Sequence, residues 1–225
     1  MKLTSVAVAA GLLCCLANAH ATKDVNLGPY TLSYDETTVL GELAGWGGGG
    51  SLFSFAWAIP SSVQVASTGP LVTASFDLPS FTITANPGWT LSGDVKAFLG
   101  NLVFTEVGGA TTGILAYADV AVDGGPASSW SGGVGWTASL AGPGYLQGYF
   151  GDTATVPVGH FTSLTVSNAS IVLSATGGAF SSIVAQPQNR LEISLFAAAV
   201  PEPEGYAMLL AGLAVVGWVV RRRHR

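Results

Sequence analysis

Phe53, Phe55, Trp57 and Ile59 alternate with Ser54, Ala56 and Ala58, a period of two that sets every second side chain on one face of an extended strand. Phe81 and Ile83 alternate with threonines, and the pairs Leu164/Val166 and Leu191/Ile193/Leu195 repeat the pattern. Apolar, β-branched and aromatic runs cover Leu71 to Phe76, Leu99 to Val107, Ile114 to Val122 and Ile171 to Leu173. Turn chemistry separates them: Asn86-Pro87-Gly88, Gly108-Gly109, Asp123-Gly124-Gly125-Pro126, Gly142-Pro143-Gly144 and Thr176-Gly177-Gly178. No window between residues 22 and 199 sustains a helical period with caps, and no repeat of fixed length recurs. The pattern predicts an all-β domain, a single antiparallel sandwich or jelly roll, over residues 22–199.

Both ends depart from that pattern. Lys2, an apolar stretch from Val6 to Ala17 and then Ala-Asn-Ala-His-Ala have the three-part plan of a secretory signal peptide over residues 1–21. Signal peptidase would cut after Ala19 or after Ala21, and Cys14 and Cys15 would leave with the peptide. At the other end, Pro201 and Pro203 lack backbone donors and push the residues before them towards extended geometry, so a following helix cannot run upstream through them. Tyr206 to Val220 is a run of 15 uncharged residues. As a helix it would be about 22 Å long, short against a hydrocarbon core of about 30 Å. Arg221, Arg222, Arg223 and Arg225 follow it directly and favour the cytoplasmic side of a membrane. The expected plan is a signal helix, a β domain outside the membrane, and a tail comprising a motif at 200–204, a transmembrane helix at 206–220 and basic residues at 221–225.

The order Val200-Pro201-Glu202-Pro203, short apolar segment and arginine-rich end resembles the sorting tail of PEP-CTERM proteins. Glu204, Gly205 and His224 are modest departures from that tail. The resemblance implies recognition by exosortase, a membrane-embedded cysteine protease of Gram-negative bacteria that make exopolysaccharide. It implies a single-pass inner-membrane precursor with its C-terminus in the cytoplasm, then a place on the cell surface or in the biofilm matrix, with exopolysaccharide as a further partner. Val25-Asn26-Leu27-Gly28-Pro29 and the later Leu52-Phe53-Ser54-Phe55 faintly resemble the subset named for a Phe-x-Asp-x-Phe motif, although the aspartate is absent. That subset has no assigned chemistry.

Setting both targeting segments aside changes the charge. Residues 22–199 hold eleven carboxylates against Lys23, Lys96 and Arg190, a net of −8, whereas the whole chain carries −5. Such a surface has nothing with which to neutralise a run of phosphates, which argues against nucleic acid and against docking on anionic lipid. Without cysteine the domain can form neither a disulfide nor a thiolate metal site, and its stability must come from a packed core.

Catalytic chemistry finds little footing. His160 is the sole histidine between residues 22 and 199, and no serine sits in a G-x-S-x-G elbow. Gly45 to Gly50 and Gly133 to Ala138 match dinucleotide fingerprints by letter, but neither lies between a strand and a helix, so both are expected as loops or bulges. No cofactor is expected. Asp119 and Asp123 flank Val-Ala-Val before a glycine turn; Asp at a strand end before Gly is usually turn chemistry, and calcium ligation is the lesser reading of the pair. Read as a glycosidase pair they rest on proximity alone. Trp57 is expected in the core, whereas Trp46, Trp130 and Trp136 lie among glycines and serines, where exposed rings could stack on sugars. Three functions remain: a non-catalytic surface or matrix component, a carbohydrate-binding module using those tryptophans, and a secreted hydrolase using acidic side chains.

Overall fold

A computed structural model describes residues 22–130, 135–200, 210–214 and 221. Among them are two antiparallel sheets stacked as a sandwich. The first runs in the order β1 (Thr22–Asn26), β2 (Tyr30–Asp35), β7 (Phe81–Ala85), β13 (Ser163–Gly177), β9 (Ala110–Val122), β10 (Ser128–Trp130). Two further strands join it, β6 (Val72–Asp77) on β13 and β11 (Gly135–Ser139) on β9. The second runs β3 (Leu43–Gly49), β4 (Leu52–Ala58), β15 (Arg190–Ala199), β8 (Trp89–Val107), β14 (Phe180–Val184), β5 (Gln64–Ser67), with β12 (Tyr145–Phe161) on the other side of β8.

The alternation fixes which face is buried. Tyr30, Leu32 and Tyr34 of β2, Phe81 and Ile83 of β7, Phe55 and Trp57 of β4, and Leu191, Ile193 and Leu195 of β15 all point between the sheets. Trp57 is completely buried, with its ring edge-on to Tyr34 and Phe55 at centroid distances of 5.7 and 5.4 Å. Phe81 joins both Phe55 and Trp57 at 5.7 Å, so β2, β4 and β7 meet in one aromatic cluster. Such contacts add to area burial because the electropositive edge of one ring meets the electronegative face of another.

Two long strands organise the sheets by changing partner along their length. On one side β13 pairs with β7 over Ser163–Val166 and with β6 over Ser170–Ala175. Between those stretches its register with β9 shifts, Asn168 takes a φ of 50° and Ala169 accepts a hydrogen bond from the Leu78 amide at 2.8 Å. In β8 the positions that join the core cluster are odd-numbered through Leu91, Val95 and Leu99, then even-numbered through Leu102 and Phe104, and the buried Glu106 continues the second series. The change of parity falls at Gly100 and Asn101, where β15 ends as a partner and β14 has yet to begin. A Cβ on Gly100 would lie 2.9 Å from the backbone N and O of Arg190, so only glycine lets β15 start there.

The glycine runs, expected as loops or bulges, lie partly within paired strands. After a bulge between Leu43 and Gly45, the segment to Gly49 pairs in register with β4, and Gly135 opens β11 against Leu115. A backbone can pair without the side-chain periodicity that marks a strand in sequence. At the ends, residues 210–214 are helical, and among the described residues no helix is long and apolar enough to cross a membrane. The signal segment and the remainder of 206–220 lie outside the described residues.

Candidate functional site

The sorting tail leaves the sandwich from the end of β15. Ala199 pairs with Trp89 as the last rung, and the amide of the exposed Val200 donates to the Gly88 carbonyl at 2.8 Å. Gly88 has a φ of +81° in a turn whose Asn86 carbonyl accepts the Trp89 amide at 3.0 Å. The Asn86 side chain binds this turn to the neighbouring sheet: its Oδ1 accepts the Thr31 hydroxyl at 2.8 Å, and its Nδ2 donates to the Gly28 carbonyl at 2.7 Å and to Asn26 Oδ1 at 3.1 Å. Rigid sheet structure thus reaches to the residue before Pro201. Pro201, Glu202, Pro203, Arg222, Arg223 and Arg225 lie outside the described residues, and Arg221 is exposed.

Each candidate from the sequence has a place. Trp46 is 62% exposed on the edge strand β3. Trp136, on β11, is half-buried against the core and meets Phe150 edge-on at 6.4 Å, so its ring does not stand free among the glycines around it. Trp130 ends β10 opposite Ala118, and its side chain lies outside the described residues. These three tryptophans form no common platform, since they sit on β3 of one sheet and on β10 and β11 of the other.

Tyr145 and Tyr149 are the pair that sequence reasoning passed over. They are 62% and 65% exposed, on the same side of β12 with Gln147 between them. The signal was legible as the period of two in Tyr-Leu-Gln-Gly-Tyr-Phe, where Leu146, Gly148 and Phe150 take the opposite side.

Asp119 and Asp123 are held by donors of the sandwich itself. Asp123 Oδ1 accepts the Thr162 amide, the Thr162 hydroxyl and the Ser163 amide, each at 2.8 Å. Asp119 Oδ2 accepts Asn168 Nδ2 at 2.7 Å. The Thr162 bonds hold the Asp123 carboxyl below its ordinary range, and the Asn168 and Ser129 bonds do the same for Asp119. Both aspartates pin turns and a bulge, and no group of three or more His, Cys, Asp or Glu among the described residues could hold a metal ion. His160 is exposed on β12, beside a register shift.

A different carboxylate is buried. Glu106 is 0% exposed, and its Oε1 accepts the Thr112 amide at 2.8 Å and the Thr112 hydroxyl at 2.7 Å. Its Oε2 has no hydrogen-bond partner, and neither has the buried hydroxyl of Ser181, the residue opposite it on β14. Glu106 is sealed beneath the sheets rather than presented in a cleft.

These features define a β-sandwich with a further segment attached to its last strand. The family model for the PEP-CTERM protein-sorting motif matches residues 199–223, beginning on the final residue of β15, so the chain carries the mark of an exported exosortase substrate. No curated protein matches the chain. Among solved structures, the enzymatically active domain of tailspike protein 4 from bacteriophage CBA120 aligns at 15% identity over 78% of this chain, with a TM-score of 0.20. Infectious bursal disease virus, Gx strain, aligns at 15% identity over 92%, also with a TM-score of 0.20. The alignments span 20% and 58% of those two chains, and similarity this low transfers neither fold nor function.

Proposed function

We propose that this chain is an exosortase-processed protein of the cell surface or extracellular matrix, associated with exopolysaccharide and without catalysis of its own. The sorting motif directly after β15 carries the reading. In the precursor the basic end faces the cytoplasm, the sandwich faces outward, and exosortase cuts near Pro201. The non-catalytic part is supported by Asp119 and Asp123 being engaged in local structure and by Glu106 being enclosed. Mass spectrometry of the mature protein from its native host tests this. Cells with exosortase should yield a chain that begins after Ala19 or Ala21 and ends near Pro201, and cells without it should keep Arg225. Mature protein from competent cells that still carries Arg225 would overturn the assignment.

Exposed aromatic rings favour a second reading, polysaccharide binding. Trp46, Tyr145 and Tyr149 offer ring faces to solvent, and Gln147 offers an amide between two of them. Glycan arrays should then show binding that Trp46→Ala or Tyr149→Ala weakens by up to about tenfold, from the loss of roughly 0.5–1.5 kcal/mol per stacked ring. Equal binding by wild type and both variants would remove this reading.

A further inference from the structure

The centre of the sandwich is incompletely filled. Five inward positions carry alanine, namely Ala97 on β8, Ala116 and Ala118 on β9, Ala154 on β12 and Ala169 on β13, and a cavity of about 90 Å³ lies among them with apolar walls. Apolar voids of this order stay dry and accept apolar guests, because water there would find no hydrogen-bond partner.

A second cavity of about 700 Å³ lies beside it and has the opposite character. Thr38, Ser75, Ser80, Asn168 and Ser170 line it with hydroxyl and amide groups, and Asp77 adds a carboxylate. The hydroxyl oxygen of Thr38 is buried and has no hydrogen-bond partner. Leu78 and Ala169 belong to the walls of both cavities. They stand at the break where β13 exchanges β7 for β6, which is the interruption in the sheet that brings the polar cleft against the apolar interior.

We propose that the two cavities form one binding site for a neutral amphiphile, with a polyhydroxylated head in the cleft and the end of an aliphatic chain between the sheets. The head is neutral because no Lys, Arg or His lines the cleft, Asp77 does, and the domain around it carries a net of −8. A phosphate or carboxylate would meet repulsion there with no cation to balance it. Hydroxyls suit donors and acceptors such as Thr38, Ser75 and Asn168, which can act in both directions. The chain end enters past Leu78 and Ala169, and each methylene that it buries raises affinity by about fourfold.

The test uses the full chain held in amphipol and an octyl glucoside bearing a photoreactive diazirine at the end of its chain, with labelled peptides mapped by mass spectrometry. Labelling should fall on β8, β9 and β12 around Ala97, Ala116 and Ala154. Unmodified octyl glucoside should compete, whereas glucose alone and an alkyl phosphate should not. Ala154→Leu fills the cavity and should cut labelling by about tenfold, the equivalent of one or two lost methylenes. Ala97→Val repeats the test with a smaller filling if that variant fails to fold. Thr38→Val should weaken competition by the glucoside. Labelling confined to residues 206–220, labelling unchanged in the cavity-filling variant that folds, or equal competition by the alkyl phosphate would each overturn the proposal.

Discussion

The Val200 amide donates to the carbonyl of Gly88 at 2.8 Å, one residue beyond β15 and immediately before Pro201. The sandwich therefore holds the chain up to the edge of the sorting tripeptide, with no spacer between them. The grip depends on Asn86, whose side chain ties the Gly88 turn to Asn26, Gly28 and Thr31. Asn86→Ala removes all three bonds and should cost about 1–3 kcal/mol, since each net hydrogen bond is worth roughly 1 kcal/mol. Thermal unfolding reads the loss, and hydrogen exchange should show the Val200 amide opening faster. An unchanged Val200 rate would mean that the anchor stands without Asn86.

Trp57 lies edge-on to Tyr34 at 5.7 Å, completely buried, and its Nε1 has no hydrogen-bond partner. Trp57→Ala should lower stability by about 3–5 kcal/mol through lost contacts and the void left behind. Trp57→Phe should cost clearly less, because the unpaired N–H leaves with the indole. Denaturant midpoints at constant slope would rank the two, and equal losses would show that ring volume alone decides.

Much of this fold could be read from alternation, because β4, β7 and β15 each bury one face and a period of two records that directly. The parity change in β8 could not, since it depends on Gly100 meeting the backbone of Arg190, a residue 90 positions away. Trp136 was misplaced for a similar reason: glycine neighbours suggest exposure, but Phe150 arrives from the other sheet to cover it. The sorting motif is legible because its signal is local in sequence. The alanine-lined cavity was not, being assembled from single small residues on separate strands.

Glu106 and Thr112 face each other across the β8–β9 turn, with both Thr112 donors on Oε1. Glu106→Ala strands those donors in the interior and should cost about 2–4 kcal/mol, the penalty of buried unsatisfied groups. Glu106→Gln keeps an acceptor for both Thr112 donors, so it should cost clearly less than the alanine variant. Chemical denaturation of the two variants separates these outcomes, and a glutamine variant as unstable as the alanine one would show that accepting the Thr112 bonds is not what Glu106 contributes.

Asp123, at a φ of 50°, turns the chain and caps Thr162 and Ser163 through three hydrogen bonds to one oxygen. Those bonds favour the ionised carboxylate and lower its folded-state value, with the Thr162 bonds as the main cause. A group depressed on folding contributes its stability in full above the unfolded value of about 3.9, and the contribution disappears as pH falls through the lower folded value. Wild type should therefore lose stability below about pH 4 more steeply than Asp123→Asn, whose amide oxygen still accepts but does not titrate. Melting curves taken from neutral to strongly acidic pH supply the comparison, and parallel acid limbs would show that the capping bonds contribute nothing through charge. Adding calcium or a chelator at neutral pH should leave both midpoints unchanged, because the donors of Thr162 and Ser163 already occupy one carboxylate oxygen and, among the described residues, no group of three or more carboxylate or imidazole ligands forms there. A calcium-dependent rise seen in wild type and absent from Asp123→Asn would instead make this turn a cation site.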